Sequence, residues 1–192
     1  MAATTGRTTN ARGRATARAI EEAAIRLAVE HGVAALTVDQ ICAEAGVGQR
    51  TFFNHFPTKE DALLGAALPA LDEGRVRAYL ADPDAGVLSG LIGLVEVPDG
   101  PGGLVSRRRE VLTASPALAE RQAGRLRPLA HEVAGIVRLK LRSLDPGADD
   151  ERIEATALLV TQIASALLLR PRSEDEQGPV LEPLRWVWDR LL

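Results

Sequence analysis

The first third of the chain alternates short apolar stripes with glycine and proline, a pattern typical of several short helices. Between residues 16 and 31, Ile20, Ala24 and Leu27 recur at helical spacing, and Gly32 follows directly. Glycine is favoured just past the end of a helix because it enters left-handed backbone conformations at low cost. This stretch therefore predicts a first helix over 16–31.

A second segment, which begins at Thr37, predicts two short helices joined by a tight turn. Thr37 and Gln40 have the spacing of a capping box, in which each side chain bonds the backbone N–H of the other residue. Gly46 interrupts the apolar pattern, and a new helical pattern begins at once, with Phe52 and Phe56 on one face. This order predicts a helix-turn-helix in which both phenylalanines are buried.

The remainder of the chain predicts further helices. Thr58 and Asp61 form another helix start, and the apolar residues after it predict a fourth helix that continues to about residue 71, with a kink or break at Pro69. Beyond residue 83, glycines and prolines separate predicted helices over 85–97, 103–114, 116–144, 148–169 and 179–192. No stretch alternates convincingly with period two, and only 3% of the residues are aromatic, so we predict an all-α fold.

Length and composition are those of a globular protein with a substantial core. The chain has 192 residues, of which 46% are hydrophobic, and no apolar run approaches the roughly 18 residues of a bilayer-spanning helix. The start of the chain has no apolar segment typical of a signal peptide, so we expect a soluble, cytoplasmic protein. The single cysteine, Cys42, excludes an internal disulfide, and its place in an apolar helix predicts a buried thiol rather than a redox sensor.

Charge is unevenly distributed along the chain. The formal net charge is -3, yet the first 20 residues hold four arginines, Arg14 among them, and no acidic residue. Residues 1–14 lack apolar periodicity, so we predict a disordered basic arm that lies along DNA phosphates. A solvated tail is the alternative interpretation.

The helix order and the segment TFFNHFPTKEDAL resemble the DNA-binding domain of the TetR family of transcriptional repressors. The resemblance is close over roughly residues 15–65 and extends to the remainder only by helix pattern. It implies a homodimer with a helix-turn-helix domain, here 15–60, and a helical effector-binding and dimerisation domain, here 61–192. Three positions depart from the family pattern: Gly48 replaces a helix-capping serine, and Arg50 and Phe53 replace the more common glycine and tyrosine.

The second helix of this motif carries side chains suited to reading DNA. Arginine pairs bidentately with guanine, glutamine and asparagine pair with adenine, and a threonine methyl can meet a thymine methyl. Helix starts such as Thr37 and Lys59 favour phosphate, and the resemblance implies phosphate contacts by Phe53 and His55. The candidate DNA-binding residues are Arg14, Thr37, Gln49, Arg50, Thr51, Phe53, Asn54, His55 and Lys59.

The C-terminal region carries the dimer and effector predictions. The helix at 148–169 is apolar around most of its circumference, and pairing it with helix 179–192 and their copies would form a four-helix bundle. Ordinary monomer core is the alternative. The predicted interface residues are Leu159, Ile163, Leu167 and Trp186. The resemblance implies an effector pocket, for which the candidate residues are Leu91, Val95, Val105, Arg109, Leu112, Leu126 and Val133.

Six arginines between residues 107 and 127 leave two interpretations open. They form a solvated or salt-bridged surface, or they line a pocket for an anionic effector such as an acyl-thioester. No metal-ligand spacing, P-loop, nucleophile elbow or paired-carboxylate site stands out, so we predict neither an enzyme nor a bound metal or cofactor.

Together these features predict a ligand-responsive repressor. Its expected partners are a pseudo-palindromic DNA operator, a small-molecule effector of unknown identity and a second copy of the chain, with no membrane partner. The alternative is a helical small-molecule-binding protein whose helix-turn-helix contacts proteins rather than DNA.

Overall fold

A computed structural model describes residues 5–96 and 103–169 of the chain. These residues divide into two compact units, the first containing 5–68 and 103–123, the second containing 69–96 and 124–169. The elements in chain order are α1 Thr5–His31, α2 Val38–Ala45, α3 Gln49–His55, α4 Lys59–Leu64, β1 Ala70–Leu71, α5 Glu73–Ala81, α6 Val87–Ile92, β2 Val95–Glu96, α7 Leu104–Ala114, α8 Pro116–Leu144 and α9 Asp150–Leu169.

The first unit is built around α1. Ile20 and Ile25 of its apolar stripe are fully buried and pack in one cluster with Phe52 of α3, Leu63 of α4 and Val111 of α7. The predicted division at residue 60 is not where the compact units divide, because this unit continues to residue 68 and takes in α7 as well. The helix-turn-helix therefore shares its core with a helix that lies about 50 residues further along the chain.

The start of α1 differs from the expectation of a disordered arm. The helix begins at Thr5, so residues 5–14 continue it rather than forming a separate flexible segment. Alanine and arginine are good helix formers, and no proline interrupts the stretch. Sequence periodicity missed this extension because a helix with few apolar residues leaves no stripe to detect.

The fourth helix is shorter than predicted. It ends at Leu64, and Gly65 follows with φ 83° and ψ 155°, a backbone conformation that is essentially restricted to glycine. The predicted helix to residue 71 is therefore wrong, and Pro69 lies outside any helix. A separate helix, α5, begins four residues later, and the carboxylate of Asp72 caps it by accepting the N–H of Arg75.

The second unit contains α5, α6, α9 and α8 from residue 124 onward. Its core includes Tyr79, Leu91, Val137 and Ala157. The predicted helix over 85–97 is only partly correct: α6 occupies its centre, and the end is β2, which pairs antiparallel with β1 through Leu71 opposite Val95. Such short strands lack the alternating pattern by which a sheet is usually predicted.

The fold class is nevertheless all-α, as predicted, since the described sheet has only two strands of two residues each. The prediction over 116–144 matches α8, and those over 103–114 and 148–169 agree with α7 and α9 to within two residues. The predicted helix over 179–192 lies outside the described residues. Within those residues, no helix is long and apolar enough to cross a bilayer.

Candidate nucleic-acid interface

The helix-turn-helix begins with the predicted capping box. Thr37 Oγ1 accepts the backbone N–H of Gln40 at 3.3 Å, and Gln40 Oε1 accepts the backbone N–H of Thr37 at 2.8 Å. At the other end of α2, Gly46 adopts left-handed backbone with φ 65° and ψ 33°, and the N–H of Val47 bonds the carbonyl of Cys42 at 3.0 Å. Local hydrogen bonds therefore determine both ends of α2 and the turn into α3.

Two phenylalanines hold α3 against the rest of the unit, as predicted. Phe52 and Phe56 are 0% and 2% exposed, and their ring centroids lie 6.1 Å apart. The N-cap of α3 is Gly48, which has extended backbone and contributes no side-chain hydrogen bond. The position of α3 consequently depends on burial of its inner face rather than on a capping side chain.

The opposite face of α3 is exposed and chemically suited to DNA. Gln49, Arg50 and Asn54 are exposed, and Phe53 is 52% exposed, with its ring edge-to-face on that of Phe52. Thr51 and His55 are half-buried. A face that combines a guanidinium, two carboxamides and an aromatic ring can bond base edges and phosphates in a major groove.

One of these side chains has a partner on the neighbouring helix. Gln49 Nε2 donates a hydrogen bond to Oδ1 of Asp39, which lies in the first turn of α2. A carboxamide nitrogen has two N–H groups, so the bond to Asp39 occupies one of them and leaves the second N–H and the carbonyl oxygen of Gln49. Those two groups are the pair that binds adenine bidentately.

Two further candidates already carry structural bonds. The Thr37 side chain caps α2, as described above. Lys59 Nζ donates to the carbonyl oxygens of Val33 and Leu36, at 3.1 and 2.7 Å, and so ties the start of α4 to the loop before α2. Sequence analysis missed this role because the two carbonyls lie 26 and 23 residues away along the chain.

The remaining candidate, Arg14, is exposed on α1. Because residues 5–14 are helical, its guanidinium projects from a continuous helix rather than from a flexible arm. Cys42 is buried, as predicted, and burial raises the pKa of its thiol, with a smaller contribution from the Asp39 carboxylate. A thiol in that state is protonated at neutral pH and is a poor nucleophile.

A comparison with known protein families agrees with the helix-turn-helix geometry. Residues 20–66, which contain the C-terminal part of α1 and all of α2, α3 and α4, match the family described as bacterial regulatory proteins, tetR family. This segment is therefore similar to the helix-turn-helix region of that family. Among solved structures it is similar to the multidrug binding protein EbrR complexed with imidazole, at 23% identity and a TM-score of 0.33, over 91% of this chain and 88% of that one. No curated protein matches the chain.

The candidate residues for the effector pocket belong to both units. Leu91 and Val133 are buried in the core of the second unit, whereas Leu112 packs against the core of the first. Val95 and Leu126 belong to the second unit, and Val105 and Arg109 belong to the first; all four are half-buried. Three of the seven candidates therefore belong to or pack against a hydrophobic core, and four are half-buried outside both cores.

The predicted interface residues lie partly on an exposed face of α9. Leu159 is 60% exposed, its neighbour Leu158 is 57% exposed, and Ile163 is also exposed. The helix carries Leu167 near its end, and Trp186 lies outside the described residues. Large aliphatic side chains that stand adjacent in solvent mark surfaces that another element covers.

Two of the six C-terminal arginines form salt bridges within the first unit. Arg108 Nη2 lies 2.7 Å from Glu21 Oε2, and Arg121 Nη2 lies 2.6 Å from Asp61 Oδ1. The salt-bridged interpretation is therefore correct for Arg108 and Arg121. Within the described residues, no group of three or more potential ligands among His, Cys, Asp and Glu could hold a metal ion.

Proposed function

We propose that the chain is a ligand-responsive transcriptional repressor of the cytoplasm, which binds a pseudo-palindromic operator as a homodimer and is released by a small-molecule effector. The observation that carries the DNA-binding part is the division of α3 into two faces. Phe52 and Phe56 bury one face, while Gln49, Arg50 and Asn54 stand together on the other. A helix face whose only role was exposure to water would not require this set of groups, all of which can bond to base edges.

The bonds within the unit support a rigid presentation of α3. The capping box fixes α2, Lys59 ties α4 to the loop before α2, and the Asp39 carboxylate holds the Gln49 amide. Side chains held on packed helices read bases more precisely than side chains on mobile segments, because less conformational freedom is lost on binding. In this proposal Phe53 and His55 contact phosphate, and Arg14 adds a contact that is independent of sequence.

The exposed aliphatic residues of α9 support the dimer. Two copies of α3 must lie about one helical turn of DNA apart, roughly 34–36 Å, to read both half-sites. Leu158, Leu159 and Ile163 provide an apolar face that a second copy can cover. An effector acts only through its different affinity for the DNA-binding and released states of that dimer.

The experiment that tests the proposal is fluorescence anisotropy with DNA fragments that flank the gene of this protein. We expect the wild-type chain to bind one fragment specifically, and Arg50→Ala with Asn54→Ala to lose at least about tenfold in affinity, since each bidentate base contact is worth about 1–3 kcal/mol. Arg127→Ala is the matched control, because Arg127 is exposed in the second unit.

Salt dependence separates base reading from phosphate contact. Arg14→Ala should weaken binding about equally on all sequences and reduce the salt slope by about one, whereas Arg50→Ala should change sequence preference. If the wild-type chain bound no fragment, and its helix-turn-helix instead captured a protein partner, the DNA-binding proposal would be wrong and the protein-contact alternative would replace it.

A further inference from the structure

Two charged residues of opposite sign occupy core positions in the first unit. Glu21 belongs to the buried stripe of α1, one residue after Ile20, and its side chain is only 12% exposed. Arg108 lies between the buried residues Leu104 and Val111 on one face of α7, and its side chain is 19% exposed. Charged side chains are rarely placed so deeply unless partners satisfy them, so their contacts should reveal what they do.

Both side chains meet at the C-terminal end of α4. Arg108 Nη2 donates to Glu21 Oε2 at 2.7 Å, and Arg108 Nε donates to the carbonyl oxygen of Leu63 at 2.9 Å. The second carboxylate oxygen of Glu21 accepts the backbone N–H of Ala66 at 2.8 Å. The pair therefore bonds one backbone acceptor before the helix end and one backbone donor after it.

Gly65, which stands between those two backbone groups, leaves no room for a side chain. A Cβ at this position would lie 2.8 Å from Arg108 Nη2 and 3.0 Å from Glu21 Oε2. The backbone there has φ 83°, which L side chains rarely adopt. The chain thus turns directly against the ion pair just past the end of α4.

Other bonds attach α4 along its length. Lys59 joins its start to the loop before α2, and Asp61 in its middle accepts Arg121 of α8 at 2.6 Å. After Gly65 the described chain is not helical again until Glu73, so no rigid rod continues from α4. The side chains of α1, α7 and the start of α8 are therefore what holds α4 in place.

We propose that α7 is a structural part of the DNA-binding unit and that Glu21 and Arg108 are positioning residues that fix the C-terminal end of α4 against α1. This inference rests on the proposed DNA-binding function and adds a helix that lies outside the matched residues 20–66. A buried ion pair adds little net stability compared with apolar side chains of similar volume, whereas its directional bonds specify one arrangement of the elements it joins. The clamp formed by Glu21, Arg108, Leu63 and Ala66 therefore fixes the position of the end of α4 relative to α1.

The test compares Arg108→Met with Arg107→Met in the full-length chain. Arg107 is the exposed neighbour on the same helix, so its replacement controls for the loss of one positive charge. Hydrogen exchange followed by mass spectrometry should show the amides of residues 64–66 exchanging at least about tenfold faster in Arg108→Met, as expected for loss of a hydrogen bond to a charged group. Arg107→Met should exchange like the wild type.

DNA affinity provides a readout that a purely structural role would not change. On the fragment that the wild-type chain binds, Arg108→Met should raise Kd about tenfold or more while the active fraction from stoichiometric titration and the salt slope stay unchanged, because the Arg108 guanidinium is largely buried and bonded to Glu21 and Leu63. Glu21→Gln is the second variant. It preserves the side-chain volume and an oxygen that accepts the N–H of Ala66, so its Kd should rise by less than that of Arg108→Met. This variant keeps the test informative even if Arg108→Met folds poorly.

Two results would overturn the inference. Equal exchange in Arg108→Met and Arg107→Met would show that the clamp does not hold the end of α4. Faster exchange with unchanged Kd in both Arg108→Met and Glu21→Gln would show that the clamp only stabilises the fold. A failure of the proposed function is distinguishable, because it would appear as a wild-type chain that binds no DNA, whatever the exchange rates are.

Discussion

Replacement of Gly65 by alanine is the perturbation that the structure predicts most sharply. The residue combines φ 83° and ψ 155° with a site where a Cβ would lie 2.8 Å from the Arg108 guanidinium and 3.0 Å from the Glu21 carboxylate. Two costs therefore act together, one from the backbone and one from the displaced ion pair. Gly46 offers a matched control, since its φ is 65° and a Cβ added there would meet nothing within 4 Å.

The two costs can be estimated separately. A non-glycine residue in the backbone region of Gly65 costs about 1–3 kcal/mol, and loss of one hydrogen bond to a charged group costs about 1.5–3 kcal/mol. Gly65→Ala should therefore lower the free energy of unfolding by roughly 2.5–6 kcal/mol. Gly46→Ala should lower it by only about 1–2 kcal/mol, because only the left-handed backbone term applies there.

Urea unfolding followed by circular dichroism measures both values in the full-length chain. A thermal scan should agree, with Gly65→Ala lowering Tm by at least about 5 °C, since 1 kcal/mol shifts Tm by about 2–4 °C in a chain of this size. Losses that were equal for Gly65→Ala and Gly46→Ala would refute the reasoning. They would mean that the Glu21–Arg108 pair moves aside without cost, and that the clamp at the end of α4 is loose.

Three further predictions concern the helix-turn-helix. Phe52→Ala should cost about 3–5 kcal/mol of unfolding free energy because it empties a fully buried site, whereas Phe53→Ala should cost no more than about 1.5 kcal/mol, the value of one edge-to-face contact; calorimetry of both variants compares them. Thr37→Val should cost about 1 kcal/mol by removing the cap of α2, and Thr37→Ser should restore it; equal values for Val and Ser would contradict the capping role. Burial raises the pKa of Cys42, so folding favours the protonated thiol, and its stabilising contribution is complete below the ordinary thiol pKa of about 8.5 and is lost as pH rises through the higher folded value. Urea unfolding from pH 7 to 10 should therefore show wild type losing stability relative to Cys42→Ala above about pH 8.5, and parallel pH profiles would exclude this linkage.

Much of the helix-turn-helix was predictable because its signals are local. The Thr37 and Gln40 capping box, the turn at Gly46 and the buried pair Phe52 and Phe56 all depend on residues no more than five positions apart. Backbone hydrogen bonds and the 3.6-residue period act over that same distance, so the sequence pattern records them directly. The long helices α8 and α9 were predictable for the same reason.

The site was predictable in residue type but not in bonding. An outward face on α3 follows from helical periodicity once Phe52 and Phe56 are assigned to the core. The hydrogen bonds from Lys59 to loop carbonyls and from Gln49 to Asp39 do not follow from helical periodicity, because side-chain partners depend on how separate helices meet. The helix end at Gly65 had a signal, a glycine directly after Leu64, but the prediction placed the break at Pro69 instead.

The sequence alone determines most of the helices and the composition of the outer face of α3, since both arise from side-chain spacing within a single turn or two. What only the tertiary structure decided is which charges are buried. Glu21 and Arg108 are 87 residues apart, and each resembles an ordinary solvated residue in its own helix. They become partners because α1 and α7 pack together and bring both side chains to the same backbone groups of α4. Tertiary packing thus attaches α7 to the unit that carries the helix-turn-helix.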